Sequence, residues 1–278
     1  MELSKQAITD VVALALREDV GSGDLTTRLL VPPGARCRAQ LLLEEPGVVC
    51  GLPIATAVFQ TLDPTVVLTP ATDEGTRIGT APVVLAELAG PAAAILTGER
   101  TALNLVARLC GIATLTRRFV DQIAGTGVTI LDTRKTTPGL RALEKYAVRC
   151  GGGQNHRFGL DDAILVKENH LRIAGGIGNA AAKLAGHTNG TPVEVEAETL
   201  DQVAEALEAG VERILLDNMT PDQISQAVEL TAGRAKLEAS GGITLGSVRA
   251  YAETGVDYIS IGALTHAARS LHLSLELQ

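Results

Sequence analysis

The residues best suited to chemistry lie in the run Asp132-Thr133-Arg134-Lys135-Thr136-Thr137-Pro138-Gly139-Leu140-Arg141. Two adjacent cations follow an apolar stretch, among hydroxyls and a Pro-Gly turn. Arg offers a planar fork that fits a carboxylate or phosphate, and Lys adds a compact point charge. A solvated basic loop is the better reading for an isolated Arg-Lys pair, but this pair has company. Gly151-Gly152-Gly153-Gln154-Asn155-His156-Arg157 supplies two more potential cations behind three glycines. Triple glycine lets the backbone approach a ligand closely and adopt positive φ. A flexible turn would need the glycines but not Asn-His-Arg. Lys167 ends another apolar run, Ala163–Val166. A Lys there is costly unless it meets an anion or has its charge suppressed. An internal salt bridge to Asp132 or Glu196 would satisfy it, and a Schiff-base lysine is a third reading.

Glu196 and Asp217 are the acidic counterparts. Beside so many cations, two carboxylates suit a hard divalent ion such as Mg²⁺, which prefers oxygen ligands and bound phosphates. They could equally stabilise positive charge developing on a sugar, or only pair with the Arg and Lys residues. Glu194 lies two residues before Glu196, on the same side of a strand, and could share that duty. Ser240-Gly241-Gly242-Ile243 and Ile261-Gly262-Ala263 each follow an apolar run. Glycines there, ahead of helices, make a phosphate cradle of backbone N–H groups, although two ordinary turns would look similar. The whole describes a cationic pocket beside a phosphate cradle, with carboxylates between. It suits a phosphorylated sugar reacting with a second anion.

These residues need elements that bring them together. Strand-length apolar runs recur, each ending on a polar or glycine-rich edge: Val128–Leu131 before Asp132, Ala163–Val166 before Lys167, Val193–Val195 before Glu196, Ile214–Leu216 before Asp217, Leu237–Ala239 before Ser240, and Tyr258–Ile261 before Gly262. Helical stretches such as Leu200–Glu208 and Pro221–Leu230 lie between them. Alternating strand and helix implies parallel strands with right-handed crossovers. In a β/α barrel all the carboxyl ends share one face, so residues from Asp132 to Gly262 can converge. A doubly wound open sheet also binds ligands there, but no GxGxxG follows an early strand, which favours the barrel. Upstream, Ile8 to Leu16 has helical spacing, with Ile8, Val11, Val12 and Ala15 on one face and Gly21-Ser22-Gly23 as its stop. Short strands are expected at Ala39–Leu43, Val48–Cys50, Val66–Leu68 and Val83–Leu85. Thr97 is placed to cap a helix through Glu99, Arg100, Leu103, Val106 and Leu109. A first, mixed α/β domain is expected up to about Gly111.

Composition bounds the reading. A chain of 278 residues, 46% hydrophobic and 20% charged, can bury one large barrel or two smaller domains. A net charge of −8 with 2% aromatics and no Trp lacks both the basic field and the stacking platforms of a nucleic-acid binder. The basic cluster is therefore local, not a product of overall charge. The four cysteines, Cys37, Cys50, Cys110 and Cys150, lack CxxC spacing, which argues against a zinc knuckle. A polar N-terminus, with no apolar run near the roughly 20 residues of a membrane span, leads us to expect a cytoplasmic protein with reduced thiols.

Taken as a string, the motifs resemble the quinolinate phosphoribosyltransferase family, the decarboxylating nicotinate-nucleotide pyrophosphorylases. The resemblance rests on Gly98-Glu99-Arg100-Thr101-Ala102-Leu103-Asn104, Asp132–Arg141, Glu144-Lys145-Tyr146-Ala147-Val148 and Gly151–Arg157. It continues through Val193-Glu194-Val195-Glu196, Leu216-Asp217-Asn218, Glu238–Ile243 and Gly262-Ala263-Leu264-Thr265-His266, and begins as early as Glu18–Thr27. Two residues depart from the pattern, Cys110 in place of Ser and Glu168 in place of Asp.

The resemblance implies an N-terminal α/β sandwich over residues 1–111 and an incomplete TIM-like α/β barrel over residues 112–264, with the tail 265–278 packed back on the first domain. It implies a homodimer, or a higher assembly of dimers, in which Arg100 reaches the neighbouring subunit's site. Thr133, Arg134, Lys135, His156, Arg157 and Lys167 would hold quinolinate and 5-phosphoribosyl 1-pyrophosphate (PRPP), with Lys135, Lys167, Glu196 and Asp217 as the catalytic set. Glu196 and Asp217 would hold Mg²⁺ and the ribose. Ser240, Gly241, Gly242, Ile261, Gly262 and Ala263 would cradle the 5-phosphate. The expected reaction gives nicotinate mononucleotide, pyrophosphate and CO₂ in de novo NAD synthesis. Three rivals stand beside it: a molybdenum-transport-associated relative acting on another anion, a Schiff-base aldolase using Lys167, and a non-catalytic anion sensor.

Overall fold

A computed structural model describes residues 3–186, 188 and 190–278. The chain opens with α1 (Lys5–Val20), whose Val12 and Leu16 are buried, and α2 (Leu25–Leu30), capped by Asp24 through the Thr27 N–H at 3.0 Å. Next come β1 (Arg36–Leu43), β2 (Gly47–Val48), α3 (Leu52–Leu62), β3 (Val67–Pro70), β4 (Arg77–Ile78) and β5 (Val83–Pro91). The long α4 (Ala92–Gln122) precedes β6 (Thr129–Leu131), α5 (Arg141–Cys150), β7 (Ile164–Val166), α6 (Glu168–Ala174) and α7 (Ile177–Leu184). A regular alternation follows: β8 (Val193–Ala197), α8 (Leu200–Glu208), β9 (Arg213–Asp217), α9 (Pro221–Thr231), β10 (Lys236–Ser240), α10 (Val248–Ala252) and β11 (Tyr258–Ser260). The chain ends with α11 (Ala263–His266) and β12 (Leu273–Leu277).

Two compact units form. The first takes residues 1–117, 136–152 and 263–278, and the second takes 118–135 and 153–262. The first unit is built on an antiparallel sheet ordered β12-β1-β5-β3, with β12 pairing Leu41 to Leu275 at the far end of the chain. Ala39, Leu41 and Leu43 alternate into its core, as strand geometry requires. Helix α3 has no side-chain cap of its own. Instead Glu74, more than twenty residues on, accepts the Gly51 N–H at 2.8 Å and the Leu52 N–H at 2.8 Å. The carboxylate thereby satisfies two orphan donors and complements the helix dipole.

Two local expectations change here. Thr97 does not cap a helix. It lies within α4, which begins right after Pro91 on three consecutive alanines, Ala92 to Ala94. Its hydroxyl instead donates to Asp24 Oδ2 at 3.2 Å, bracing the α2 cap. Helix α4 also runs on through Gly111. A Cβ there would lie 1.9 Å from the Arg269 carbonyl oxygen, so the glycine admits the returning C-terminal segment and does not end the helix. The expected barrel domain also loses residues 136–152, because α5 packs with the first unit.

The second unit is a six-stranded parallel sheet ordered β6-β11-β10-β9-β8-β7. The first strand neighbours the last, and the order then runs down to the second. This is the cyclic order of a barrel, open between its first two strands. An open doubly wound sheet would reverse direction at a switch point. Gln154 partly lines the seam, forming a parallel bridge to Leu131 on the free side of β6. Ile130, Val195, Ile214, Leu216, Ala239 and Ile259 are buried on one face of the sheet.

Candidate active site

The parallel register puts the chemistry-bearing residues on one edge. Asp132 follows Leu131 of β6, Lys167 follows β7, Glu196 and Ala197 end β8, and Asp217 sits opposite Ser240. Residues separated by more than a hundred positions in sequence, Asp132 and Ser240, thus share a rim.

One part of the rim is acidic. Carboxylate oxygens of Glu196, Glu198 and Asp217 all lie within 4.8 Å of one another. Lys167 Nζ stands 3.7 Å from Glu196 Oε2, so the Glu196 pairing is the one observed. The Lys167 side chain is 54% exposed, and the desolvation expected of it is absent. An ammonium both solvated and paired lacks the setting that frees a Schiff-base amine. Burial raises the Glu196 carboxyl above its ordinary value, Lys167 opposes the rise, and Asp217 adds to it. Asp217 accepts from Asn218 Nδ2 at 2.7 Å. Asn218 itself takes φ +57° and donates its N–H to Ser240 O at 2.9 Å. A Cβ on Gly241 would meet Asn218 Oδ1 at 2.3 Å, and Gly241 and Gly242 take φ +99° and +60°. The Ser-Gly-Gly turn thus needs both glycines, one of them for close approach. Glu198 was not anticipated, although it continues the alternation of Glu194 and Glu196 one step past β8.

Another part of the rim is basic. Asp132 is fully buried and fixes the loop that follows α5: it accepts the His156 N–H at 2.9 Å and Asn155 Nδ2 at 2.6 Å. His156 has both ring nitrogens engaged. Nδ1 accepts the Arg157 N–H at 2.8 Å, so Nε2 carries the hydrogen and donates to Glu194 Oε2, also at 2.8 Å. The ring therefore orients Arg157. Glu194 further accepts from Arg213 Nε at 2.9 Å, and Arg213 Nη2 donates to Glu238 while the guanidinium stacks 4.4 Å from the Tyr258 ring centroid. Arg213 supplies the charge a metal would bring to His156, Glu194 and Glu238. Burial and Glu194 push the Glu238 carboxyl up, and Glu238 Oε1 is buried without a partner. Burial also raises Glu194, but His156 and Arg213 outweigh it and hold Glu194 down. The two carboxyls are thus shifted in opposite directions. Arg213 did not stand out in the sequence and Glu238 appeared only as the start of a resembling segment, since only the strand register makes them neighbours.

Arg134 Nε is buried and has no hydrogen-bond partner. Arg157 donates Nη1 to Ala163 O at 3.1 Å, and burial followed by the charge of Arg134 pulls its pKa down. The Arg134 charge thus works against Arg157, while Asp162 and Glu194 act on Arg157 in the opposite sense. Lys135 is exposed, and its N–H donates to Thr133 Oγ1 at 3.0 Å.

Other expected members are differently engaged. The Thr137 N–H and hydroxyl donate to buried Glu144 at 3.0 and 2.8 Å, and Thr136 accepts from Arg141 at 3.0 Å, so these hydroxyls brace the first unit. The Ile261 N–H donates to Leu131 O at 3.0 Å, which leaves Ile261 as a ladder residue that places Gly262. Ala263 opens α11 in the first unit. Arg100 is exposed on α4 of that unit, beside Asn104 and the Ser270–Leu273 stretch.

Comparison with known proteins accords with this arrangement. The N-terminal domain model of quinolinate phosphoribosyl transferase matches residues 24–110, and its C-terminal domain model matches residues 112–276. A probable nicotinate-nucleotide pyrophosphorylase [carboxylating] of Bacillus subtilis is 46% identical, over 94% of this chain and 90% of its own. The nicotinate-nucleotide pyrophosphorylase [carboxylating] of Mycobacterium leprae is 42% identical over 98% and 97%. The solved nicotinate-nucleotide pyrophosphorylase of Francisella tularensis superposes with a TM-score of 0.95 at 40% identity, covering 100% of this chain and 98% of that one. With both domain models matched in order over nearly the whole length, the chain belongs to the quinolinate phosphoribosyltransferase family.

Proposed function

We propose that this chain joins quinolinate to the ribosyl group of PRPP, giving nicotinate mononucleotide, pyrophosphate and CO₂, a step of de novo NAD synthesis. The observation that carries the reading is the Arg134–Arg157 pair, two cations near enough for the charge of Arg134 to bear on Arg157, with the buried Arg134 Nε left without a partner. A planar dicarboxylate supplies a partner for both. Thr133, Lys135 and Lys167 extend the grip toward the pyrophosphate of PRPP. In this reading Ser240 and the two positive-φ glycines, Gly241 and Gly242, would turn backbone N–H groups toward the 5-phosphate.

Glu196, Glu198 and Asp217 form an all-oxygen donor set of the kind Mg²⁺ prefers. The ion, when bound there, offsets the charge of the pyrophosphate. The protein's own part is positional and electrostatic. The guanidinium pair sets the pyridine ring so that its nitrogen faces ribose C1. The N–C1 bond forms as the C1–O bond to pyrophosphate breaks, and Glu196 and Asp217 favour the cationic sugar between. The ring nitrogen then carries a positive charge. When the C–C bond to the adjacent carboxylate breaks, its electron pair is stabilised at C2, which takes up a proton. Holding two anions together against their repulsion is the larger share of the task, and the cations offset it.

The active assembly in this reading is a homodimer, or dimers further assembled, with Arg100 completing the neighbouring subunit's site. Among the described residues no helix is long and apolar enough to cross a membrane. Calorimetric comparison of quinolinate with nicotinate tests the assignment. A site built for two carboxylates should bind the monoacid at least ~10-fold more weakly, because a missing partner leaves a charged group unpaired. Equal affinities would point to a relative acting on another anion.

A further inference from the structure

Three of the four cysteines, far apart in sequence, meet in the first unit, and no step of the proposed reaction uses them. Cys50 stands just before α3, Cys110 lies in α4 and Cys150 ends α5. The sulfurs of Cys50 and Cys150 and a Glu74 oxygen all lie within 4.8 Å of one another. This is not a metal site. The Glu74 oxygens already serve the Gly51 and Leu52 N–H groups and the Tyr146 hydroxyl at 2.7 Å, and releasing them would uncap α3. Cys110 is engaged too: its sulfur accepts the Cys50 N–H and donates to the Cys50 carbonyl, both at 3.2 Å. The side chain facing Cys50 is therefore that of Cys150.

We propose that Cys50 and Cys150 are a thiol pair that a hydroperoxide converts to a reversible disulfide. Cys150 is the entry point because it is the partly exposed member, whereas Cys50 and Cys110 are buried. Its thiol is eased downward, first by the hydrogen bond from Cys50, while burial raises Cys50 well above the ordinary range and pushes Cys110 up to about 12. In the first step the Cys150 thiolate attacks the peroxide, the O–O bond breaks, and an alcohol or water leaves with a proton. Cys150 is now a sulfenic acid. In the second, the Cys50 sulfur attacks the Cys150 sulfur, the S–O bond breaks, and water carries away the remaining thiol hydrogen. Two thiols and one hydroperoxide give one disulfide, one alcohol and one water, with the two electrons passing from sulfur to oxygen. Side-chain rotation closes the gap to the bonding distance of about 2 Å. The link would tie the start of α3 to the end of α5, closing a loop of about 100 residues, long enough for a cross-link to restrict the unfolded chain strongly.

The test treats the reduced full-length protein with a few equivalents of hydrogen peroxide, alkylates the remaining thiols and maps peptides by mass spectrometry. The expected result is a Cys50–Cys150 peptide pair two hydrogens lighter than its thiols, reversed by dithiothreitol, with Cys37 and Cys110 still alkylated. The linked protein should melt at least ~5 °C higher than the reduced one. Cys150→Ser should lose both the link and the rise, and Cys37→Ser should keep both. A link through Cys37 or Cys110, Cys150 halted as sulfenic or sulfinic acid with Cys50 still alkylated, no oxidation of the pair, or a linked form that melts no higher would overturn the proposal. Mapping of the unaltered protein decides the matter even if Cys150→Ser does not fold.

Discussion

Arg134→Ala is the perturbation that probes the anion site most sharply. In the free protein Arg134 Nε has no partner, and its charge bears on Arg157. Removing it relieves a repulsion and breaks no internal bond at that atom. Folding stability should therefore stay within ~0.5 kcal/mol of the parent, the range for substitutions that break no particular interaction. Ligand binding should respond quite differently. A hydrogen bond to a charged group contributes roughly 1.5–3 kcal/mol, so quinolinate affinity should fall about 10- to 150-fold. Arg134→Lys restores the charge without the planar fork and should remain at least ~5-fold weaker than the parent. The assays are titration calorimetry with quinolinate and thermal melts of the free proteins. A dissociation constant within twofold of the parent, in a variant that melts normally, would refute the assignment of Arg134 to the carboxylate site. A melting point lowered by many degrees would show that Arg134 is instead a structural cation.

In the buried cluster, Glu194→Gln and Glu238→Gln should part company on chemical denaturation. Glu194, held below its ordinary value by His156 and Arg213 against the effect of burial, answers the Arg213 charge, so its amide mimic should cost about 3 kcal/mol, whereas Glu238, raised by burial and by Glu194, should tolerate the amide at under ~1 kcal/mol. Glu45, held down to about 2 from 4.5 chiefly by its hydrogen bond with Arg269, gains stability from ionisation. That gain is complete above pH 4.5 and disappears as pH falls through about 2. The pair is largely exposed and screened, so Glu45→Gln should lower stability by only about 1 kcal/mol at pH 7 and by nearly nothing at pH 2. Glu196, raised by burial, must be ionised to hold a cation. Cation binding at this cluster should therefore weaken as pH falls and Glu196 takes up a proton, and Glu196→Gln should abolish turnover; a variant that turns over as the parent does would remove Glu196 from the step.

The sequence carried the barrel well, for a physical reason. Parallel strands buried on both faces read as unbroken apolar runs, and the polar residue ending each run marks the rim. Asp132, Lys167, Glu196, Asp217 and Ser240 were legible on that basis alone. Helix α3 was not, because Glu74 caps it from a distance. Gly111, where the first family model gives way to the second, lies in mid-helix, and its role in admitting the returning C-terminal segment is not visible in the sequence. The Thr137 hydroxyl seemed part of the anion loop, yet it bonds Glu144 in a helix whose packing the sequence does not reveal. The Glu194–Arg213–Glu238 cluster depends on three strands lying side by side in register, so no local pattern announces it. It also gave His156 a different task, since a histidine placed among cations reads as a ligand contact until both its nitrogens are seen to be taken.

The most direct trial of the account is a turnover measurement with quinolinate labelled at the carboxylate next to the ring nitrogen, together with PRPP and Mg²⁺. The account predicts labelled CO₂, pyrophosphate and nicotinate mononucleotide in equal amounts, none of them formed when PRPP is omitted. Mononucleotide without CO₂, equal turnover of nicotinate, or no product from folded protein would contradict it.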